Sequence, residues 1–61
     1  MLASQRKNEI LQRVRRDGSI IAAEVAAEWQ VSEDTIRRDL RDLASEGHVQ
    51  RVYGGAVLTS P

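Results

Sequence analysis

The segment Val31-Ser32-Glu33-Asp34-Thr35-Ile36-Arg37-Arg38-Asp39-Leu40-Arg41-Asp42-Leu43 constrains this chain more than any other. Its start, its buried side and its exposed side can each be assigned from residue type and spacing. Ser32 stands just ahead of a periodic run, where its side-chain oxygen can accept from free backbone N–H groups. Glu33 and Asp34 place negative charge on the first turn, where the helix dipole favours it. Ile36, Leu40, Leu43 and Ala44 recur at helical spacing as one apolar stripe. At about 100° per residue, Arg38 falls almost opposite that stripe. Asp34 and Arg41 lie on the same side, with Thr35 on one flank and Arg37 on the other. Gly47 is the expected C-terminal stop. The spacing therefore predicts a helix anchored on one side and offering arginines on the other.

The remaining residues must bury that stripe within a chain of only 61. A domain of this size buries only about 60% of the surface its unfolded chain exposes, so modest stability is expected. There is no cysteine, and His48 is the single histidine, so neither a disulfide nor a metal cluster is expected to help. No apolar run approaches the roughly 20 residues of a membrane span, and no signal peptide is visible. The expectation is a soluble, cytoplasmic protein with no cofactor.

Zero net charge conceals segregation. Residues 1–16 carry five bases against one acid, residues 17–46 three bases against eight acids, and residues 47–61 one base. Such a distribution can put a basic face on a neutral protein. It can equally be solvated helix surface with i,i+4 pairs such as Asp34–Arg38 and Arg38–Asp42. Charge alone leaves both readings open.

Ahead of the central helix, Ile10, Leu11 and Val14 predict a first helix from Ser4 to about Arg16, capped by Ser4. Arg6 and Lys7 lie near its start, a common place to touch a backbone phosphate. Asp17-Gly18-Ser19 is a turn signal, followed by a short strand at Ser19–Ala22. Val25, Ala26 and Trp29 give a second helix, about Ala23 to Trp29, a narrow apolar face with no good N-cap. Trp29 fits a core anchor better than a platform for stacking bases. Gln30-Val31-Ser32 joins this helix to the central one, and two helices so joined describe a helix-turn-helix. Gln30 takes the position where positive φ often favours glycine.

Beyond Gly47 the pattern alternates. His48–Tyr53 and Ala56–Thr59 flank Gly54-Gly55, predicting a hairpin with a two-residue glycine loop. That loop pairs Tyr53 with Ala56, Val52 with Val57 and Arg51 with Leu58. Thr59-Ser60-Pro61 reads as the start of a linker.

The order helix, strand, helix, helix, strand, strand describes a mostly α winged helix-turn-helix with a small antiparallel sheet, over residues 1–58. An α-helix fits the DNA major groove, and its N-terminal residues reach base edges. Arg37 and Arg38 can donate bidentate hydrogen bonds to guanine or pair with phosphate. Thr35 can offer a hydroxyl and a methyl, and Ser32 can present its hydroxyl with nearby N–H groups to a phosphate. Arg51 and the Gly54-Gly55 tip let the wing come close to the duplex. The candidate DNA-contacting set is Arg6, Lys7, Ser32, Glu33, Thr35, Arg37, Arg38, Arg41, Arg51, Tyr53, Gly54 and Gly55.

Ser32 through Leu40, followed by Leu43, Gly47, Arg51 and Gly54-Gly55-Ala56, resembles the DeoR-type DNA-binding domain of bacterial transcription regulators. Arg6 with Ile10-Leu11, and Gly18 with Val25 and Ala26, match the opening and middle of that pattern. Tyr53 stands where the family often has histidine, and Gln30 where glycine is frequent. The resemblance implies double-stranded DNA as partner and a repressor of sugar or nucleoside catabolic genes. It also implies a C-terminal domain, absent from residues 1–61, that binds a phosphorylated sugar and carries homo-oligomerisation.

A winged helix can alternatively serve as a protein-interaction module, a reading that zero net charge favours. Catalysis has little support, since scattered surface carboxylates and one histidine form no nucleophile–base pair.

Overall fold

The computed structural model describes residues 2–59, and its elements follow the expected order. Helix α1 spans Ala3–Asp17, β1 Ser19–Ile21, α2 Ala22–Trp29, α3 Glu33–Ser45, β2 Val49–Val52 and β3 Gly55–Leu58. The strands form one antiparallel sheet in the order β1-β3-β2. Residues Ser60 and Pro61 of the expected linker lie outside the described residues.

Each helix end departs from or confirms expectation for a local reason. Ser4 does not cap α1, because the helix begins one residue earlier and places Ser4 within its first turn. Gln5 Oε1 instead reaches back to accept from Leu2 N–H at 3.2 Å, half of a capping box. Ser32 does cap α3, its Oγ accepting from Thr35 N–H at 3.1 Å. Gln30 adopts the left-handed conformation, φ 57° and ψ 43°. Its N–H bonds to Ala27 O and that of Val31 to Ala26 O, a Schellman ending that turns the chain from α2 into α3. The same pair of bonds closes α3 around Gly47, from Gly47 N–H to Ala44 O and His48 N–H to Leu43 O.

Ala22 belongs to α2 rather than to β1, so the strand ends at Ile21. The missing side-chain cap of α2 is supplied from afar: Ala22 N–H donates to Gly54 O at 2.9 Å. The tip of the wing thus satisfies one of the free donors at the helix start.

The hairpin differs from its predicted register by two residues. Val52 pairs with Gly55 and Arg51 with Ala56, so the turn is Tyr53-Gly54 and not Gly54-Gly55. A two-residue shift keeps every side chain on its face, which is why the alternation could not distinguish the two pairings. The third strand distinguishes them. Gly55 also pairs with Ile21, and a Cβ built on Gly55 would lie 1.9 Å from Ile20 O. Only a residue without a side chain fits there, so Gly55 is drawn into the sheet, leaving Gly54, at φ 82°, to make the turn.

The core joins all three helices to the inner face of the sheet. Ile10 and Val14 of α1 meet Ile20, Val25, Ala26, Ile36, Leu40, Leu43, Val49 and Ala56, with Leu11, Trp29, Val31 and Ala44 at its margin. Trp29 is an edge anchor of this core, as expected, and the Arg13 guanidinium lies 5.7 Å from its ring centroid. That spacing suits a cation–π contact.

Candidate nucleic-acid interface

With Ile36, Leu40 and Leu43 buried, the opposite side of α3 is turned to solvent. Its N-terminus carries a short hydroxyl pair, Ser32 Oγ and Thr35 Oγ1, 2.7 Å apart. Arg37, Arg38 and Arg41 are all exposed, but they are not equivalent. Arg37 is held within the helix by Glu33, one turn back, and its Nη1 lies 3.6 Å from Asp34 Oδ1. Among the described residues, no acid lies within ion-pair distance of Arg38, Arg41 or Arg51.

The alternative pairs Asp34–Arg38 and Arg38–Asp42 do not form, because other bases take those acids. Arg37 occupies Asp34, and Lys7 Nζ reaches from α1 to within 3.0 Å of Asp42 Oδ2. Asp39 is buried, and accepts from both Nε and Nη2 of Arg6, the latter at 3.1 Å. The four acids of α3 are thereby spent on Arg37, Arg6 and Lys7. Arg38 and Arg41 remain as uncompensated cations on the exposed face. A guanidinium so placed keeps its donors free for the edge of a base or for a phosphate.

A helix with this face, entered through a three-residue turn and followed by a hairpin wing, is the geometry of a helix-turn-helix reader of duplex DNA. The pattern of the DeoR-like helix-turn-helix domain matches residues 6–61, nearly the whole chain. The chain belongs to this family. It is a DNA-binding domain of the kind carried by bacterial transcription regulators. It is 40% identical over 60 residues to the glycerol-3-phosphate regulon repressor of Escherichia coli K12, covering 98% of this chain and 24% of that protein. It is 41% identical over 56 residues to a putative galactitol utilization operon repressor of the same organism, covering 92% of this chain and 50% of the relative. Against the L-fucose operon activator of Haemophilus influenzae, identity is 46% over 48 residues, 79% of this chain and 19% of the relative. The chain thus spans about a quarter of the length of the glycerol-3-phosphate repressor it matches. No solved structure matches.

In this DeoR-like domain, the sequence-derived site residues fall into separate groups. Ser32, Thr35, Arg38 and Arg41 share the start and outer side of α3, with Glu33 and Arg37 paired beside them. On the wing, Tyr53 and Gly54 form the exposed tip, and Arg51 is exposed one residue before the strand ends. Gly55 is buried against the backbone of Ile20 and is no part of that tip. Arg6 and Lys7 are committed to Asp39 and Asp42, and hydrogen bonding to these partners holds both bases above their ordinary pKa. Arg6 is the more enclosed, its side chain 16% exposed.

Asp39 is the buried acid to which sequence reasoning gave no partner. At about 100° per residue it falls some 60° from Ile36, on the flank of the apolar stripe. A lone acid in that position signals a buried partner, although nothing local says which base supplies it.

Among the described residues, no helix is long and apolar enough to cross a membrane, and no group of His, Asp and Glu could hold a metal ion.

Proposed function

We propose that the chain reads duplex DNA in a sequence-specific way, with α3 in the major groove. Arg38 and Thr35 meet base edges, Arg41 is shared between bases and phosphate, and Ser32 holds a phosphate at the helix start. Arg51 and the Tyr53-Gly54 tip approach the backbone or minor groove. The observation that carries this reading is the pair of uncompensated arginines, Arg38 and Arg41, on the exposed side of a helix whose acids are otherwise engaged. Binding, not catalysis, is the activity.

The relatives support a wider proposal. Two of those named above are a glycerol-3-phosphate regulon repressor and a putative galactitol utilization operon repressor, and one is an L-fucose operon activator. We infer that this domain serves a bacterial cytoplasmic repressor of a sugar-use operon. Regions of the whole protein beyond it would bind a phosphorylated sugar and bring two or more copies together. Two copies would then occupy half-sites spaced by helical turns of about 34 Å.

The test is selection of bound sequences from a random duplex pool, followed by band shifts on the consensus. Replacing Arg38 with Ala should weaken specific binding by roughly 1–3 kcal/mol, the size of one bidentate base contact. Unchanged affinity would remove Arg38 from the reading surface. A pool that yields no consensus would reject sequence-specific binding by the domain.

A further inference from the structure

Arg6 and Lys7 are consecutive near the start of α1, and their partners Asp39 and Asp42 are about one turn apart on α3. The two pairs therefore tie one end of α1 to the middle of the recognition helix at two successive levels. Asp39 is the one buried charged residue among those described, and both of its oxygens are engaged by a single planar guanidinium. No buried side-chain polar atom among the described residues lacks a partner.

A buried ion pair is a poor device for stability, because desolvating two charges offsets most of their attraction. It is a good device for direction. The contacts of Ile36, Leu40 and Leu43 are non-directional, since apolar burial follows area rather than angle. A bidentate guanidinium–carboxylate pair, in contrast, fixes distance and plane together. Asp39 directly follows Arg38, so anchoring its carboxylate to α1 fixes the angle at which Arg38 leaves the helix about 100° away. The lever is short: at a helix radius of about 6 Å, a roll of about 10° displaces a side-chain group by roughly 1 Å. Base-edge hydrogen bonds tolerate only a few tenths of an ångström.

We propose that Arg6 and Lys7 are positioning residues that set the roll of α3, through Asp39 and Asp42, and so govern sequence discrimination without touching DNA. This rests on α3 being the reading helix. It reverses the role that their basic character suggests, which is direct contact with phosphate.

The two roles differ in salt dependence. A residue that neutralises a phosphate contributes about 0.9 to the slope of log K against log[salt], and does so on any duplex. A positioning residue leaves that slope unchanged and lowers only the preference for the right sequence. The variant of choice is the double replacement Arg6→Met with Asp39→Leu, which removes both charges and keeps an apolar contact between the helices. Circular dichroism verifies that it folds. Lys7→Gln, at a partly exposed pair, provides a second variant that does not disturb the core.

Affinities are measured over a salt series for the selected consensus duplex and for a scrambled duplex of the same composition. The expected result for the double variant is an unchanged slope on both duplexes. Its consensus-to-scrambled ratio should fall about tenfold or more, the worth of one well-aligned base contact. Lys7→Gln should show a smaller fall in the same sense. A slope reduced by about 0.9, with equal losses on both duplexes, would make Arg6 a phosphate contact and overturn the proposal. A ratio and slope both equal to wild type in the two variants would overturn it as well. If the unmodified chain itself shows no preference between the duplexes, the reading helix is what fails, and the two failures are distinguishable.

Discussion

Replacing Gly55 with Ala separates the two glycines of the wing, because they are present for different reasons. At Gly54 an added Cβ meets nothing within 4 Å, so the substitution incurs only the penalty of a left-handed backbone at φ 82°. That penalty is about 1–2 kcal/mol. At Gly55 the added Cβ would stand 1.9 Å from Ile20 O, whereas real Cβ contacts essentially never fall below 3.0 Å. The strands must part by roughly 1 Å, which takes bonds of normal length, about 2.7–3.2 Å, out of range. The β1–β3 pairing around Ile20 and Ala56 is affected first, together with the bond from Ala22 to Gly54 O. Two or three hydrogen bonds at about 1 kcal/mol each, with some loss of Ile20 burial, give about 3–4 kcal/mol. A domain of 61 residues has about 3–9 kcal/mol in total. Gly55→Ala should therefore consume much of its stability, while Gly54→Ala leaves a folded domain. Urea unfolding followed by circular dichroism gives both midpoints. A midpoint for Gly55→Ala equal to or above that of Gly54→Ala would refute the close-approach account of the wing.

Two further substitutions examine the helix-turn-helix itself. Ser32→Ala removes the acceptor for Thr35 N–H and the partner of Thr35 Oγ1, and should lower stability by about 1 kcal/mol in urea; an unchanged midpoint would mean that water caps α3 equally well. Gln30→Gly relieves the one non-glycine residue at positive φ among those described. Set against the greater backbone entropy of glycine, the gain should be about 0.5 kcal/mol, or a rise of about 2–4 °C in melting temperature. A lower melting temperature would show that the Gln30 side chain contributes more than its backbone strain costs.

The central helix was legible because three independent signals coincide there: the Ser32 cap, the stripe through Ile36, Leu40 and Leu43, and the stop at Gly47. All three act within a few residues of one another, and the structure has each of them. What escaped sequence reasoning is carried by contacts between distant segments. Gly54-Gly55 offers two hairpin registers with the same facing of side chains, and only the approach of Ile20, far back in the chain, selects one. Ala22 looked uncapped because its acceptor, Gly54 O, belongs to the wing. Whether Asp34 and Asp42 neutralise Arg38 stayed open in the sequence, because spacing shows only partners on the same helix. Lys7 and Arg6 come from another element, and with Asp42 and Asp39 engaged by them, Arg38 and Arg41 on the exposed face have no ion-pair partner among the described residues. The family resemblance names a DNA-binding domain without distinguishing the unpaired arginines of α3 from the bases that its acids engage.

The central claim is that the start and outer side of α3, with the tip of the wing, form the DNA-contacting surface. Two-dimensional amide spectra of the chain, titrated with the selected duplex, test it directly. The largest shifts should fall at Ser32–Arg41, with a second group at Arg51, Tyr53 and Gly54. The outer face of the sheet provides the contrast, because Ile21 and Val52 lie there 50% and 44% exposed on either side of Gly55. Shifts confined to Ile21, Val52 and Val57, with Ser32–Arg41 unmoved, would contradict the account.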